Sequence, residues 1–159
     1  MHILMCNDDG ILADCLRHLA SYLSQYYRIT VVAPANEQSA KSHALTTEVP
    51  LKLDACNGED ENPRLYALTG TPSDCMKFGL SYLLTDDMPD LVISGINHGF
   101  NLGSDVLYSG TVSAAMESGF YGIPGLALSV ERYSVERGDE MHPFIHELIE
   151  KIYVAGQFS

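Results

Sequence analysis

His2-Ile3-Leu4-Met5-Cys6 is a short apolar run, and Asn7-Asp8-Asp9-Gly10 follows it directly. A run of this length, closed by a glycine-containing turn, reads as a buried strand. Beyond the turn, Leu12, Leu16, Leu19 and Leu23 recur at spacings of four, three and four, which predicts one face of a helix. Arg28 to Ala33 then contains Ile29, Val31 and Val32 and stops at Pro34, the pattern of a second strand. Strand, helix, strand is the unit that builds a parallel sheet.

The alternation continues outward from that unit. Residues 34–48 are mostly polar and read as a long loop, with a short strand expected over Val49 to Leu53. Asp54 to Pro63 is acidic and turn-rich, lacks metal-ligand spacing, and reads as a solvated loop. Arg64 to Leu68 resumes strand character. Thr71-Pro72-Ser73-Asp74 has the form of a helix start, with Thr71 as N-cap and Pro72 in the first turn, and the helix is predicted to run to about Leu84. Leu91 to Ser94 is the next buried strand, followed by a glycine- and asparagine-rich loop from Gly95 to Gly110. Thr111 opens a helix to about Tyr121, Gly125 to Val130 reads as a strand, and Pro143 to Val154 as a last amphipathic helix after a polar stretch. The prediction is an α/β fold, doubly wound, with a mostly parallel sheet and helices on both faces. The first turn is not a G-x-G-x-x-G, so the usual dinucleotide fingerprint is absent.

The 159 residues suit one domain, and 46% hydrophobic content is enough for a sizeable core. A formal net charge of -12 argues against long nucleic acids, which require a basic surface. It is compatible with a small phosphate ester if a cation stands between ligand and protein. No apolar run reaches the length of a membrane span, and the first residues lack the basic start of a signal peptide, so a cytoplasmic location is expected. Cys6, Cys15, Cys56 and Cys75 have no C-x-x-C pairing, and Cys6 and Cys75 read as buried thiols.

Doubly wound sheets bind ligands at the carboxyl ends of their strands, which singles out three loops. Asp8 and Asp9 follow the first strand; adjacent carboxylates repel unless a cation neutralises them, and such oxygen ligands suit Mg²⁺ or Mn²⁺. A helix-capping Asp beside a turn Asp is the plainer alternative. After the second strand, Asn36, Ser39 and Ser42 offer oxygens while Lys41 and His43 offer groups for a phosphate; each alone also reads as a turn or surface residue. The third loop carries Asn97, His98 and Asn101 among glycines, then Tyr108-Ser109-Gly110-Thr111 before a helix. A helix N-terminus with a hydroxyl is a ready phosphate site, although Ser109 as a simple cap accounts for the same residues. Carboxylates, neutral oxygens and a helix end gathered at one place fit metal-assisted phosphoryl hydrolysis.

Several long strings resemble the SurE (survival protein E) family. They are Asn7-Asp8-Asp9-Gly10-Ile11, Val32-Ala33-Pro34 leading to Gln38-Ser39-Ala40, Leu68-Thr69-Gly70-Thr71-Pro72-Ser73-Asp74-Cys75, Ser94 to Gly103, and Asp105 to Ala115. The resemblance implies a Rossmann-like phosphatase with one divalent cation per subunit, Mg²⁺ or Mn²⁺. It implies Asp8, Asp9, Ser39 and Asn97 as metal ligands and Ser109-Gly110-Thr111 as the phosphate-contacting segment; in the mechanism that follows, Asp8 and Asp9 are the catalytic carboxylates, and Asn101 and His43 are further phosphate and substrate contacts. The implied substrates are nucleoside 5′-monophosphates, with 3′-nucleotides and short polyphosphate beside them. His43 and His98 are acid or base candidates but read more simply as substrate-loop or surface residues. Cys15 stands where a glycine is common in the family.

The family is built from longer chains whose C-terminal arm makes a homodimer or homotetramer. This single domain, residues 1–159, is therefore expected to lack that arm, which leaves its assembly open. Two other readings stand beside the phosphatase. One is a nucleotide- or phosphate-binding module without turnover. The other is an α/β enzyme of different chemistry, such as a glycosyl transferase or nucleoside hydrolase, which can also place paired aspartates after its first strand.

Overall fold

A computed structural model of the chain describes residues 1–154. The elements are β1 (His2–Cys6), α1 (Asp14–Leu23), β2 (Arg28–Pro34), β3 (Leu53–Ala55), β4 (Arg64–Leu68), α2 (Pro72–Phe78), β5 (Leu91–His98), α3 (Gly110–Gly119), β6 (Gly125–Val130) and α4 (Val135–Val154). The six-stranded sheet has the order β3-β4-β2-β1-β5-β6. All neighbouring pairs are parallel except β3 with β4. The winding reverses between β1 and β5, so the crevice expected in such sheets lies over the carboxyl ends of those two strands. The doubly wound α/β fold anticipated from the alternation is the one found.

Burial explains the strand sequences. Every residue of β1 is buried, because α1 and α4 cover one face of the sheet and α2 and α3 the other. That is why β1 is a continuous apolar run rather than an alternating one. On the first face, Leu16, Leu19 and Leu23 of α1 meet Ile145 and Ile149 of α4 over Ile3, Met5 and Ile93. On the second, Cys75, Met76 and Leu80 pack with Ala114 over Leu4, Cys6 and Val92. Each fully buried Leu or Ile contributes about 1.5–3 kcal/mol relative to exposure.

Four boundaries differ from the sequence expectation. Leu12 lies in the turn before α1 and is 74% exposed; the buried face of the helix runs through Cys15, Leu16, Leu19, Ala20 and Leu23. The strand expected at Val49 to Leu53 begins where that stretch ends, because Pro50 has no N–H to give a ladder and Val49 is exposed. β5 runs four residues beyond Ser94, to His98. α4 starts at Val135, in the stretch read as merely polar, and carries Pro143 in its interior. A mid-helix proline costs about 3 kcal/mol. The buried series Gly138, His142, Ile145 and Ile149 on one side of the helix offsets it. The helix begun at Pro72 does reach the expected length, passing through a π-helical turn at Gly79–Leu83. Among the described residues no helix is long and apolar enough to cross a membrane.

Candidate active site

The turn after β1 is fixed by its own residues. Asn7 Oδ1 accepts from the Gly10 N–H at 3.1 Å, and Asn7 Nδ2 donates to the Gly10 carbonyl at 3.3 Å. Gly10 has φ +100°, and a Cβ there would stand 3.3 Å from the Pro34 carbonyl oxygen. This turn therefore lies against the end of β2, and the Gln38 N–H donates to the Asp8 carbonyl at 2.7 Å. The loops after β1 and β2 are thereby locked together.

The third contribution comes from the end of β5. Ser94 pairs with Ala127 and Asn97 with Ser129, so β5 spends one residue more than β6 across this interval. Such a bulge re-aims the side chains beyond it. Gly95 makes it possible: its φ is +122°, and a Cβ would collide with the Leu128 carbonyl oxygen. Asn97 Nδ2 donates to the Gly99 carbonyl at 2.7 Å, which leaves its side-chain oxygen for a ligand.

Together these loops line a cleft of about 290 Å³ formed by Asp8, Asp9, Ser39, Ala40, Asn97, His98, Asn101, Asp105, Tyr108 and Ser109. The volume is near the low end for small-molecule sites. Asp8 is buried, and its Oδ1 accepts the Thr111 hydroxyl at 2.6 Å. Burial raises the Asp9 carboxyl above its ordinary value, and the charges of Asp8 and Glu37 add to the rise. The Cys15 thiol points at Asp9 Oδ2 from 3.9 Å, and burial with the Asp9 charge pushes that thiol up to about 12, so it stays protonated.

Of the residues singled out in the sequence, Asp8, Asp9, Ser39, Asn97, Asn101 and Ser109 share this cleft. Ser39 donates to Glu37 Oε1 at 2.7 Å, and Asn101 Nδ2 donates to Ser129 Oγ at 2.7 Å. Ser109 caps α3 by accepting from the Val112 N–H at 3.1 Å. Gly110 and Thr111 stand behind the cleft wall: a Cβ on Gly110 would lie 3.0 Å from the Asp8 Cβ. His43 lies elsewhere, with its Nε2 2.6 Å from Glu117 Oε2. Ser42 turns away too, donating its hydroxyl to the Leu107 carbonyl. Sequence reasoning gave no role to Asp105 or Tyr108, which reach the cleft on a 3₁₀ turn at Gly103–Tyr108 that no periodicity announces.

The donor set is all oxygen: two carboxylates, an amide carbonyl and a serine hydroxyl. Such a set fits a hard divalent cation such as Mg²⁺ or Mn²⁺. The adjacent carboxylates at the floor of the cleft, one of them raised by the other's charge, are the feature a cation would relieve.

The fold and cleft define a doubly wound α/β protein with an acidic, oxygen-lined site at the switch point of its sheet. The chain belongs to the family described as survival protein SurE, whose model matches residues 3–157. It is 48% identical over 156 residues to the "5′-nucleotidase SurE" of Thermoanaerobacter sp. (strain X514), an alignment covering 98% of this chain and 61% of that protein. The protein of the same name from Vibrio vulnificus (strain YJ016) is 49% identical over 130 residues, covering 82% and 49%. The crystal structure of the SurE protein from Aquifex aeolicus superposes with a TM-score of 0.83 at 38% identity, covering 96% of this chain and 60% of that one. The chain thus spans about three-fifths of the length of the Thermoanaerobacter and Aquifex relatives.

Proposed function

We propose that this chain carries the nucleotidase site of its family and hydrolyses nucleoside 5′-monophosphates to nucleoside and phosphate with the help of Mg²⁺ or Mn²⁺. The observation that carries the reading is the pairing of Asp8 and Asp9 on the floor of an oxygen-lined cleft whose wall is the start of α3. The printed names of the curated relatives support the substrate class. The family resemblance extends the range to 3′-nucleotides and short polyphosphate.

Asp8, Asp9, Asn97 and Ser39 are the residues that would hold the cation. When bound, it supplies charge neutralisation and polarises the phosphoryl oxygen and the attacking water. The protein's own groups do the rest. Thr111 fixes Asp8 through Oδ1 and leaves Oδ2 beside Gly110. Asp8 or Asp9, through a carboxylate oxygen not engaged by the cation, would take the proton from water as the phosphorus–oxygen bond to the nucleoside breaks. The first-turn N–H groups of Gly110 and Thr111 have no acceptor within α3, and the Ser109 hydroxyl hydrogen is free to donate. The Ser109 hydroxyl, on the cleft surface, suits a phosphoryl oxygen, with Asn101 across the cleft and the Gly110 and Thr111 N–H groups adding their dipoles from behind the wall. His43, outside the cleft lining, is proposed as a substrate-loop contact through its loop rather than as an acid or base.

The test is phosphate release from a panel of nucleoside monophosphates with Mg²⁺ or Mn²⁺, then with EDTA. Release that EDTA abolishes, and that Asp8→Asn removes while the fold survives, supports the reading. A folded chain that binds Mn²⁺ but releases no phosphate from any nucleotide is a binding module and overturns it. Release of free base instead of phosphate would assign a different hydrolase.

A further inference from the structure

Away from the cleft, α1 and α4 bring together a second group of ligating side chains with different chemistry. His18 lies on α1, while Asp139 and His142 are three residues apart on α4. One ring nitrogen of each histidine and one carboxylate oxygen of Asp139 lie within 4.8 Å of one another. His18 Nε2 stands 3.9 Å from Asp139 Oδ1, and the two imidazoles meet edge-on with centroids 5.2 Å apart.

Three observations mark this as a built site rather than a chance meeting. First, His142 is 1% exposed, and its Nε2 has no hydrogen-bond partner among the described residues. A buried polar nitrogen without a partner is costly and calls for an explanation. Second, His18 Nδ1 is 3.1 Å from the Tyr133 hydroxyl, which fixes the ring and frees Nε2 for Asp139. Metal-binding histidines are held in this way by an outer partner on the other nitrogen. Third, Gly138 sits inside α4, where glycine costs about 1 kcal/mol relative to alanine. A Cβ at that position would collide with the Tyr133 hydroxyl and stand 3.2 Å from His142 Cε1. The glycine makes room for the tyrosine that orients His18.

We propose that His18, Asp139 and His142 form a binding site for a borderline divalent cation such as Zn²⁺, which fastens the first half of α4 to α1. Two imidazoles and one carboxylate are a ligand set for zinc, not for Mg²⁺, and a fourth position is left to water. Ligand atoms around tetrahedral zinc are separated by roughly 3.3 Å, so the three groups need to close by about 1.5 Å at most. His18 and Asp139 are partly exposed side chains that can make this movement. A surface cleft lined by His18, Asp14, Arg17, Ser21 and Val135 gives the ion a way in. Burial and the neighbouring His18 lower His142 to about 4, so its ring is a neutral ligand at ordinary pH.

The experiment is a Co²⁺ titration of the metal-free, full-length chain followed by visible absorption, with Zn²⁺ competition and the thermal midpoint as a second readout. Five proteins are compared: the parent, Asp8→Asn, His18→Ala, Asp139→Asn and Tyr133→Phe. The expected result is one tetrahedral Co²⁺ spectrum per chain, displaced by Zn²⁺ and retained in Asp8→Asn. His18→Ala and Asp139→Asn should weaken it by about 100-fold or more, and Tyr133→Phe by about 10–100-fold, as for loss of an outer-sphere partner. Zn²⁺ should raise the thermal midpoint of the parent but not of His18→Ala, because only the folded state assembles the site. His18 and Asp139 are not core residues, so circular dichroism can verify that these variants are folded before they are scored. Absence of a tetrahedral spectrum, its survival in His18→Ala, its loss in Asp8→Asn, or an intense thiolate band showing cysteine ligation would each overturn the proposal.

Discussion

Thr111, in the first turn of α3, donates its hydroxyl to Asp8 Oδ1 at 2.6 Å, across 103 positions of sequence. Both residues are buried. The bond ties the floor of the cleft to the helix proposed to receive the phosphate. Thr111→Val keeps the shape and removes the donor. We expect phosphate release to fall about 10–100-fold, as for other outer-sphere partners of metal ligands, and unfolding free energy to drop by about 1.5–3 kcal/mol. Thr111→Ser should recover most of both. Steady-state kinetics and urea unfolding on the same preparations decide the matter, and a Val variant as active as the parent would remove Thr111 from the machinery.

The bulge in β5 makes a separate demand on Gly95. A Cβ there meets the Leu128 carbonyl oxygen in a backbone conformation that L side chains rarely adopt. Strain and overpacking together should make Gly95→Ala cost roughly 2–6 kcal/mol. Gly122 also has a positive φ, +71°, but nothing lies within 4 Å of its Cβ position. Gly122→Ala should cost only the strain, about 1–3 kcal/mol. Equal urea midpoints for the two variants would show that the Leu128 contact yields easily.

Much of this arrangement is legible in the sequence. The apolar run at 2–6 is continuous because both faces of β1 are covered, and the alternation with helical patterns then fixes a parallel sheet. Asp8, Asp9 and Asn97 could be placed in one crevice because each stands at or just past the carboxyl end of a strand of such a sheet. What stayed hidden depends on tertiary contacts. Pro143 signals a helix start locally, yet His142 against His18 and Tyr22, and Ile145 in the core shared with α1, carry the helix through it. Tyr108 and Asp105 belong to a short 3₁₀ turn with no buried residue, so no hydrophobic period marks them. His43 carries nothing in its own loop to reveal that Glu117, 74 residues away, is its partner.

Asp74 shows how one carboxylate can hold two loops. The capping box at the start of α2 is complete: Thr71 Oγ1 accepts from the Asp74 N–H, and Asp74 Oδ2 accepts from the Thr71 N–H at 2.9 Å. Asp74 also accepts from the Thr46 N–H at 3.0 Å and the Thr46 hydroxyl at 2.6 Å. Asp74→Ala therefore strips three donors of their acceptor, two of them on the long loop after β2. We expect a loss of roughly 2–4 kcal/mol, above the ~1 kcal/mol of a simple cap. Thr71→Ala should fall nearer the cap value. Hydrogen exchange should also quicken at the Thr46 amide in Asp74→Ala, and an unchanged rate there would mean that the loop is held by other contacts.

His2 sets an acid limit on stability that the proposed catalytic cleft does not share. The ring is buried at the start of β1, with Nε2 3.0 Å from the Thr30 hydroxyl and Nδ1 3.2 Å from the Asp87 carbonyl. Burial lowers its pKa below the ordinary 6.5, Arg28 and Arg64 lower it further, and Asp87 opposes the shift without reversing it. Below about pH 6.5 the unfolded chain takes up a proton at His2 that the folded chain resists. The unfolded state then binds more protons, so stability rises with pH through this window and is lost as the pH falls. His2→Gln removes the titration while keeping groups that can bond to Thr30. Between pH 7 and 5 the thermal midpoint of the parent should fall more steeply than that of the variant, with the two curves closest in shape above pH 7. Parallel curves across the whole range would mean that other groups, the buried His142 and the carboxylates among them, set the acid limit.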